Sequence, residues 1–476
     1  MKGGHRYDLV VLGGGTAGLV SSMIAAGAGA RVALIERRRT GGDCLWTGCV
    51  PSKSLIAAAA LAHRMRHAAS VGLEPVEPRV DFARVMEHVS RAIATIAPHD
   101  SPERLRGAGV ELIEAEGRFV APGRVEAAGS TLRWRTAIIA TGSHPVLPPL
   151  DGLDQAQALT TETVWDLCVL PRRLVVLGGG PIGCELAQAF ARLGSQVTLV
   201  EMADRLLLKE EPEASALIAD RLRGEGVDVL TGTRASAVRD GELLLGGGDT
   251  VPFDRILVSV GRAPRTAGLG LDRVGVDVDE RGAVVVDDRL RTSGRGIFAA
   301  GDVTGQLAFT HVAGHHARVA ASNALFHTRS TLSGTIPWVT FTDPEVARVG
   351  LSEAQARERW GDRAQIARFD YARSDRAITS GEAYGFAKLV ADSRGRLVGA
   401  TIAAPGGGEA IAELTAWISQ KAKLAVVSRT VHAYPTLAEG PARAADEHIA
   451  ARYASPRMRA IARPLLAVLR AVEGPR

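Results

Sequence analysis

A chain of 476 residues exceeds what one hydrophobic core organises, about 250 to 300 residues, so three or so domains are expected. Its 46% hydrophobic and 23% charged residues are globular and exclude disordered, collagen-like and coiled-coil classes, while 53 glycines against 6 Trp, 5 Tyr and 10 Phe favour α/β over an all-β sandwich. The net charge of +5 comes from scattered arginine, without a basic block or interleaved aromatics, which argues against nucleic acid.

The first apolar run is interrupted by Asp8 and the Gly13–Gly15 cluster, unlike a signal peptide. No run reaches the roughly 18 apolar residues of a membrane span, so a soluble, cytoplasmic protein is expected. Residues 7–36 then read as a βαβ unit: a buried strand Tyr7–Leu12, a Gly13, Gly15, Gly18 triplet in G-x-G-x-x-G spacing, a small-residue helix, and a strand Arg31–Ile35 closing on Glu36. Gly13 makes the tight turn, Gly15 admits a pyrophosphate, Gly18 lets the helix pack closely, and the helix N-terminus offers free N–H groups. Glu36 is placed to accept from ribose hydroxyls. In this context the triplet predicts dinucleotide binding.

Residues 41–53 read GGDCLWTGCVPSK. Cys44 and Cys49 are five apart, beyond disulfide reach in an ideal helix, so the helix must be distorted. Gly48 permits the distortion and Pro51 suits a first helical turn, giving a bridge at a loop-to-helix junction, where the helix dipole lowers a thiolate pKa. Lys53 lies one turn further. The alternatives are two buried thiols, or half a zinc site whose remaining ligands the chain lacks. Cys168 and Cys184 read as ordinary core cysteines.

The βαβ design returns at residues 174–201, with Gly178, Gly180 and Gly183 and a closing Glu201, and the offset from Gly13 to Gly178 equals that from Glu36 to Glu201. Two such units predict two dinucleotides, a held flavin and an exchangeable nicotinamide joined in a hydride relay. A carboxylate at Glu201 favours a free 2′-hydroxyl, and Met202 and Ala203 follow it without an arginine, so NAD(H) is favoured over NADP(H).

On these residues the chain resembles, over nearly its whole length, the class I flavoprotein disulfide reductases, the pyridine nucleotide-disulfide oxidoreductase family, whose GGxCxxxGCxPSK motif Gly41–Lys53 matches. The resemblance implies FAD as cofactor, Cys49 as the charge-transfer thiolate facing the flavin, Cys44 as the interchange thiol, and a Lys53–Glu185 ion pair beside the flavin. Ala140-Thr141-Gly142 resembles the exit from the FAD domain, Gly261-Arg262-Ala263-Pro264 the crossover out of the NAD domain, and Ile297–Asp302 the second FAD fingerprint, with Gly301 and with Asp302 on the ribityl chain. Arg37 and Gly42 complete the candidate cofactor contacts. The implied architecture is two Rossmann-like dinucleotide-binding domains plus a C-terminal α+β dimerisation domain: FAD 1–147, NAD(P) 148–265, FAD return 266–333, dimerisation 334–476. It further implies a homodimer whose active sites each combine both subunits. His311, His315 and His316 read as helix surface or flavin contacts, not as a metal site.

Residues 431–447, VHAYPTLAEGPARAADE, depart from the family's HPxxxE acid/base segment. Tyr434 stands at the histidine position, with Pro435 and Glu439 retained. A tyrosine near pKa 10 is a poor base at pH 7 beside a histidine near 6.5. His432 is a substitute base, on one extended face with Tyr434 at about 6 to 7 Å. Glu439 has a structural alternative, a Thr436-x-x-Glu439 capping box. Tyr434, Glu185–Ser195 and Phe309–Ala313 also resemble mercuric reductase, yet there is no N-terminal metal-binding CxxC and no C-terminal vicinal cysteine pair, since the final cysteine is Cys184. The basic, amphipathic stretch Met458–Val472 is expected to pack on the dimer, with a membrane surface as the alternative. The expectation is thus an FAD-dependent NAD(P)H:disulfide (dithiol) oxidoreductase of dihydrolipoamide dehydrogenase type, acting on a small or protein-bound disulfide. A mercuric reductase-like enzyme and a quinone or diaphorase-type reductase are the alternatives.

Overall fold

The computed structural model describes residues 6–332, 334–454 and 456–473. The outer edges of the expected domains, at 1–5, 333 and 474–476, lie outside them. The first sheet runs Val110–Glu114, Val32–Glu36, Arg6–Leu12, Ser130–Ile139, Arg124–Ala127, Gly117–Ala121. Its first four strands are parallel and the last two antiparallel. Because strand side chains alternate, Leu9, Val11 and Leu34 bury on one face while Val10, Leu12, Ala33 and Ile35 bury on the other. Both faces being covered, the strands read as unbroken apolar runs. The strand Ile297–Ala299 adds in parallel to Ser130–Ile139, with Phe298 opposite Ile138.

A second, all-parallel sheet runs Asp228–Leu230, Gln196–Val200, Arg173–Leu177, Arg255–Val258, Leu159–Thr160. The chain enters and leaves it through one antiparallel ladder, Ser143–Pro145 against Arg262–Pro264. A third, antiparallel sheet runs Pro337–Thr340, Glu345–Gly350, Leu397–Ala404, Phe386–Ala391, Gln365–Asp370.

Residues 6–67, 75–204 and 225–332 form one compact unit, and 68–74, 205–224 and those from 334 onward form another. The helix Pro212–Gly224, inside the stretch read as the nicotinamide domain, thus groups with the third sheet. The attachment is ionic: the Lys388 ammonium, only 2% exposed, lies 3.4 Å from Glu211, 2.5 Å from Glu213 and 2.8 Å from Glu353. Removing its carboxylates would strand a buried charge at a cost of about 3 to 5 kcal/mol.

Against the sequence expectation, the stretch Gly42–Arg66 is apolar and long enough by composition to cross a membrane, with a mean hydropathy of 1.3. It breaks into the helices Gly42–Trp46 and Cys49–Arg66, buries Pro51, Ser52, Leu55, Ala59 and Ala62, and pairs Lys53 with Glu185 on a neighbouring helix, so one such stretch is weak evidence of a span.

Candidate functional site

The two glycine loops are built alike. Gly13 and Gly178 adopt φ +104° and +111°, and a Cβ there would overlap the carbonyl of Ala140 or approach that of Ser259 within 2.8 Å. A Cβ on Gly18 or Gly183 would overlap the carbonyl of Gly13 or Gly178, so each helix packs directly on its own loop. Gly15 and Gly180 have ordinary extended backbones and are the N-caps of the helices Thr16–Gly27 and Pro181–Leu193. With nothing within 4 Å of a Cβ on Gly180, and only Gly42 Cα at 3.7 Å for Gly15, these glycines supply space rather than conformation. Such bare, uncapped helix N-termini fit a pyrophosphate.

Both closing acids clasp their loop. Glu36 accepts from Gly14 N–H at 2.6 Å and Arg38 N–H at 2.7 Å, and Glu201 accepts from Gly179 N–H at 2.6 Å and Ala203 N–H at 2.7 Å. Arg37 lies at the surface, 3.5 Å from Glu116. Gly42, at φ +59°, leans on Gly15, and Gly41 N–H donates to Gly14 O at 2.9 Å, so the cysteine segment rests on the first phosphate loop.

That segment distorts as its spacing demands. Cys44 sits on the short helix, Thr47 and Gly48 interrupt, and Cys49 opens the long one. A Cβ on Gly48 would come within 2.9 Å of Asp43 O, which explains the glycine. Two tryptophans fix the loop, Trp46 donating to Thr40 O at 2.7 Å and Trp165 to Thr47 O at 2.9 Å. Asp43 pairs with Arg262, which also donates to Ser143 Oγ at 2.7 Å, and Ser143 donates to Asp302 at 2.7 Å. Thr141 donates to Arg265 O at 2.6 Å beside Gly142 at φ +70°, while Gly261 takes φ +150° just before Arg262. Gly301, at φ +80°, fits between Ala17 and Ala313.

Cys44 and Cys49 are both free thiols in this structure. They hydrogen-bond to each other and have opposed acidities. The bond from Cys44, then Thr310 and Lys53, bring Cys49 down to about 6, against the opposing effect of burial. The same bond, then burial, hold the Cys44 thiol well above its usual range. The Thr310 hydroxyl, 3.4 Å from Cys49 Sγ, opens the helix Thr310–Phe326. Lys53 Nζ lies 2.9 Å from Glu185 Oε2, and the Glu185 side chain is only 6% exposed. Thr310 was missed as a site residue because a single threonine carries no spacing signal, although it lies in the Phe309–Ala313 run noted for its resemblance. Cys184 is buried as expected, but Cys168 is exposed, a correction that follows from its place on a connecting segment. His316 is buried beside Gly301 N–H at 3.3 Å, and burial, then His315, lower its pKa to about 4, so it is neutral.

The C-terminal acid/base candidates separate. His432 and Tyr434 do not act as one face: His432 Nε2 lies 3.0 Å from Glu413 Oε2 and its Nδ1 2.8 Å from Thr430 O, whereas the exposed Tyr434 phenol donates to Asp375 at 2.6 Å. That bond, then the Asp375 charge, raise the Tyr434 pKa further from a base's range. Glu439 is buried and is not the carboxylate that holds His432. The expected capping box is absent, since Thr436 donates to Ala433 O at 2.8 Å and the turn Leu437–Glu439 has no side-chain cap. Glu413, far from His432 in the chain, carried no sequence signal.

Two dinucleotide loops, a dithiol of split acidity and a separate antiparallel domain define a flavoprotein disulfide reductase. Residues 7–317 match the family model for pyridine nucleotide-disulphide oxidoreductases and 336–445 the dimerisation domain of the same family, and the chain belongs to that family. It is 39% identical over 448 residues to a mercuric reductase of Streptomyces lividans, covering 91% of this chain and 94% of the relative. It is 37% identical over 464 residues to a dihydrolipoyl dehydrogenase of Thermus scotoductus, covering 92% and 97%. Among solved structures it resembles LpdA from Mycobacterium tuberculosis, with a TM-score of 0.85, 29% identity, and 93% and 99% of the two chains covered. It also resembles the HOCl-induced flavoprotein disulfide reductase RclA from Escherichia coli, with a TM-score of 0.82, 27% identity, and 92% and 99% covered. The family binds FAD and a pyridine nucleotide, and its dimerisation domain supports a homodimer.

Proposed function

We propose that the protein is an NADH-dependent disulfide (dithiol) oxidoreductase in which Cys44 and Cys49 exchange with a small or protein-bound disulfide. The carrying observation is the placement of the two thiols on either side of a helix break, with the Thr310 hydroxyl 3.4 Å from Cys49 Sγ and the Lys53–Glu185 pair at 2.9 Å, a setting that lowers the Cys49 pKa and raises that of Cys44. Bound FAD supplies the two-electron carrier between nicotinamide and dithiol, held by the loop of Gly13, Gly15 and Gly18 with Glu36, and by Asp302. Cys44 attacks the substrate disulfide, forming a mixed disulfide and releasing one thiol. Cys49, the thiolate of the pair, then attacks the Cys44 sulfur, releasing the second thiol and closing a Cys44–Cys49 disulfide. Two electrons from NADH, with a proton from solvent, restore the dithiol.

Because Cys44 holds its proton, the first attack needs a base, and Tyr434 is unsuited to it. His432 with Glu413 takes that role, acting in a homodimer on the cysteines of the other subunit. Both of its ring nitrogens face acceptors, so it acts by letting go of the Thr430 carbonyl, the neutral one. Anaerobic NADH should produce a thiolate-to-flavin absorbance band that Cys49→Ser abolishes. Cys44→Ala should keep the band and lose turnover with lipoamide and other disulfides. NADH-dependent quinone reduction that survives Cys44→Ala, in a protein that turns over no disulfide, would point instead to a flavin-level quinone or diaphorase-type reductase. NADH preference rests on Glu201 and the absence of a following arginine.

A second reading is reduction of a soft metal ion at the same thiols, favoured by the exposed Tyr434 and the 39% identity to a mercuric reductase. Hg(II)-dependent NADH oxidation that needs both cysteines would support it.

A further inference from the structure

Beyond the matched dimerisation domain, which ends at residue 445, the chain forms an 18-residue helix, Pro456–Glu473. Ile461, Leu465, Val468 and Val472 are 64%, 64%, 60% and 78% exposed, and Leu466 and Leu469 each 46%. At 100° per residue these side chains cover an arc of about 160°, broader than the seam of a paired coiled coil. Arg459, Arg463 and Arg470 fall within about 40° of one another along one edge of that arc. All three are exposed, Arg459 also donating to Ala454 O at 3.0 Å. The helix has no acid before Glu473.

We infer that this helix is a membrane-surface anchor, its apolar face lying in the headgroup boundary of an anionic bilayer and its arginines on the phosphates. Charge decides the occupant. A second copy of the helix would bring four further arginines against the single terminal carboxylate of Glu473, whereas an anionic lipid layer offers the complement. The apolar arc adjoining basic side chains is the arrangement of in-plane helices, where arginine keeps its stem on the apolar surface and its head in water.

The test is co-sedimentation of the full-length, FAD-loaded protein with vesicles of phosphatidylcholine alone, or of two parts phosphatidylcholine to one part phosphatidylglycerol. Three surface arginines predict binding to the anionic vesicles on the order of 100-fold tighter, declining with salt. Leu465→Asp with Leu469→Asp should abolish binding, and Arg459→Gln with Arg463→Gln and Arg470→Gln should remove the lipid preference, both leaving NADH oxidation and the sedimentation coefficient unchanged. Equal or no binding to the two vesicle types would overturn the inference. So would a change in oligomeric state of the Leu465→Asp, Leu469→Asp protein without vesicles, which would give the face to a second copy.

Discussion

The two Rossmann units repeat one backbone at a constant offset along the chain and differ in what is mounted on it. Glycine turn, helix contact and acid clasp coincide position by position, down to the 2.6 and 2.7 Å bonds of Glu36 and Glu201. Where the first helix carries Val20, however, the second carries Glu185, turned to Lys53. After the first acid come Arg37, Arg38 and Arg39; after the second, Met202, Ala203 and Asp204. Only the first sheet receives the returning strand Ile297–Ala299, and with that return segment comes Thr310. The loop thus sets where a dinucleotide sits, and the side chains outside it decide what the dinucleotide does.

This division can be tested directly, and the largest effect is expected at the loops. Gly18→Ala and Gly183→Ala introduce the same overlap with a backbone carbonyl, each costing about 3 kcal/mol. Gly18→Ala should release the flavin, seen as loss of the yellow absorbance on gel filtration. Gly183→Ala should keep the flavin while nicotinamide no longer reduces it. If both variants lose flavin, the two units are not separable.

Next in size, Glu185→Val gives the second helix the residue of the first and leaves Lys53 without this carboxylate. Reduction of the dithiol, followed by stopped flow, should slow about tenfold, consistent with loss of a partly exposed pair worth about 1 to 2 kcal/mol. A smaller effect is expected at Thr310. Cys49 is depressed to about 6, so its thiolate persists above that pH and is lost as the pH falls through it. Thr310→Val removes one bond to the thiolate and should move the midpoint of the thiolate absorbance upward by up to about one unit. The smallest is Met202→Arg, which should raise NADPH use relative to NADH only a few-fold, read from kcat/KM for each nucleotide.

Much of this was legible in the sequence because it is periodic or short-range. The glycine spacings, the closing acids and the strand Phe386–Ala391 all sit within a few residues of their causes. The cysteine spacing forced a broken helix, and the helix is broken. Lys53 with Glu185 emerged only through the family resemblance, since nothing local marks a helix acid as buried. The Asp43–Arg262 pair, His432 with Glu413 and Tyr434 with Asp375 were not legible. Each joins side chains from distant parts of the chain, and tertiary packing, not local pattern, chose the partner. The capping box failed for the related reason that Thr436 found a nearer acceptor in Ala433.

The return of Ile297–Ala299 to the first sheet also bears on how the polypeptide acquires its form during synthesis. Ile138 waits for Phe298, far downstream in the chain, and in between the whole second sheet is completed through its narrow entry ladder. The nascent N-terminal sheet therefore emerges from the ribosome with one strand of its parallel array missing, while the inserted domain can fold first as a local unit. Late closure exposes the Ala137–Ile139 end of the strand Ser130–Ile139, whose other end is already paired with Arg124–Ala127, for the time needed to make the intervening chain, on the order of 10 s at roughly 5 to 20 residues per second. Aggregation during expression is accordingly expected to track that edge rather than the exchangeable middle domain.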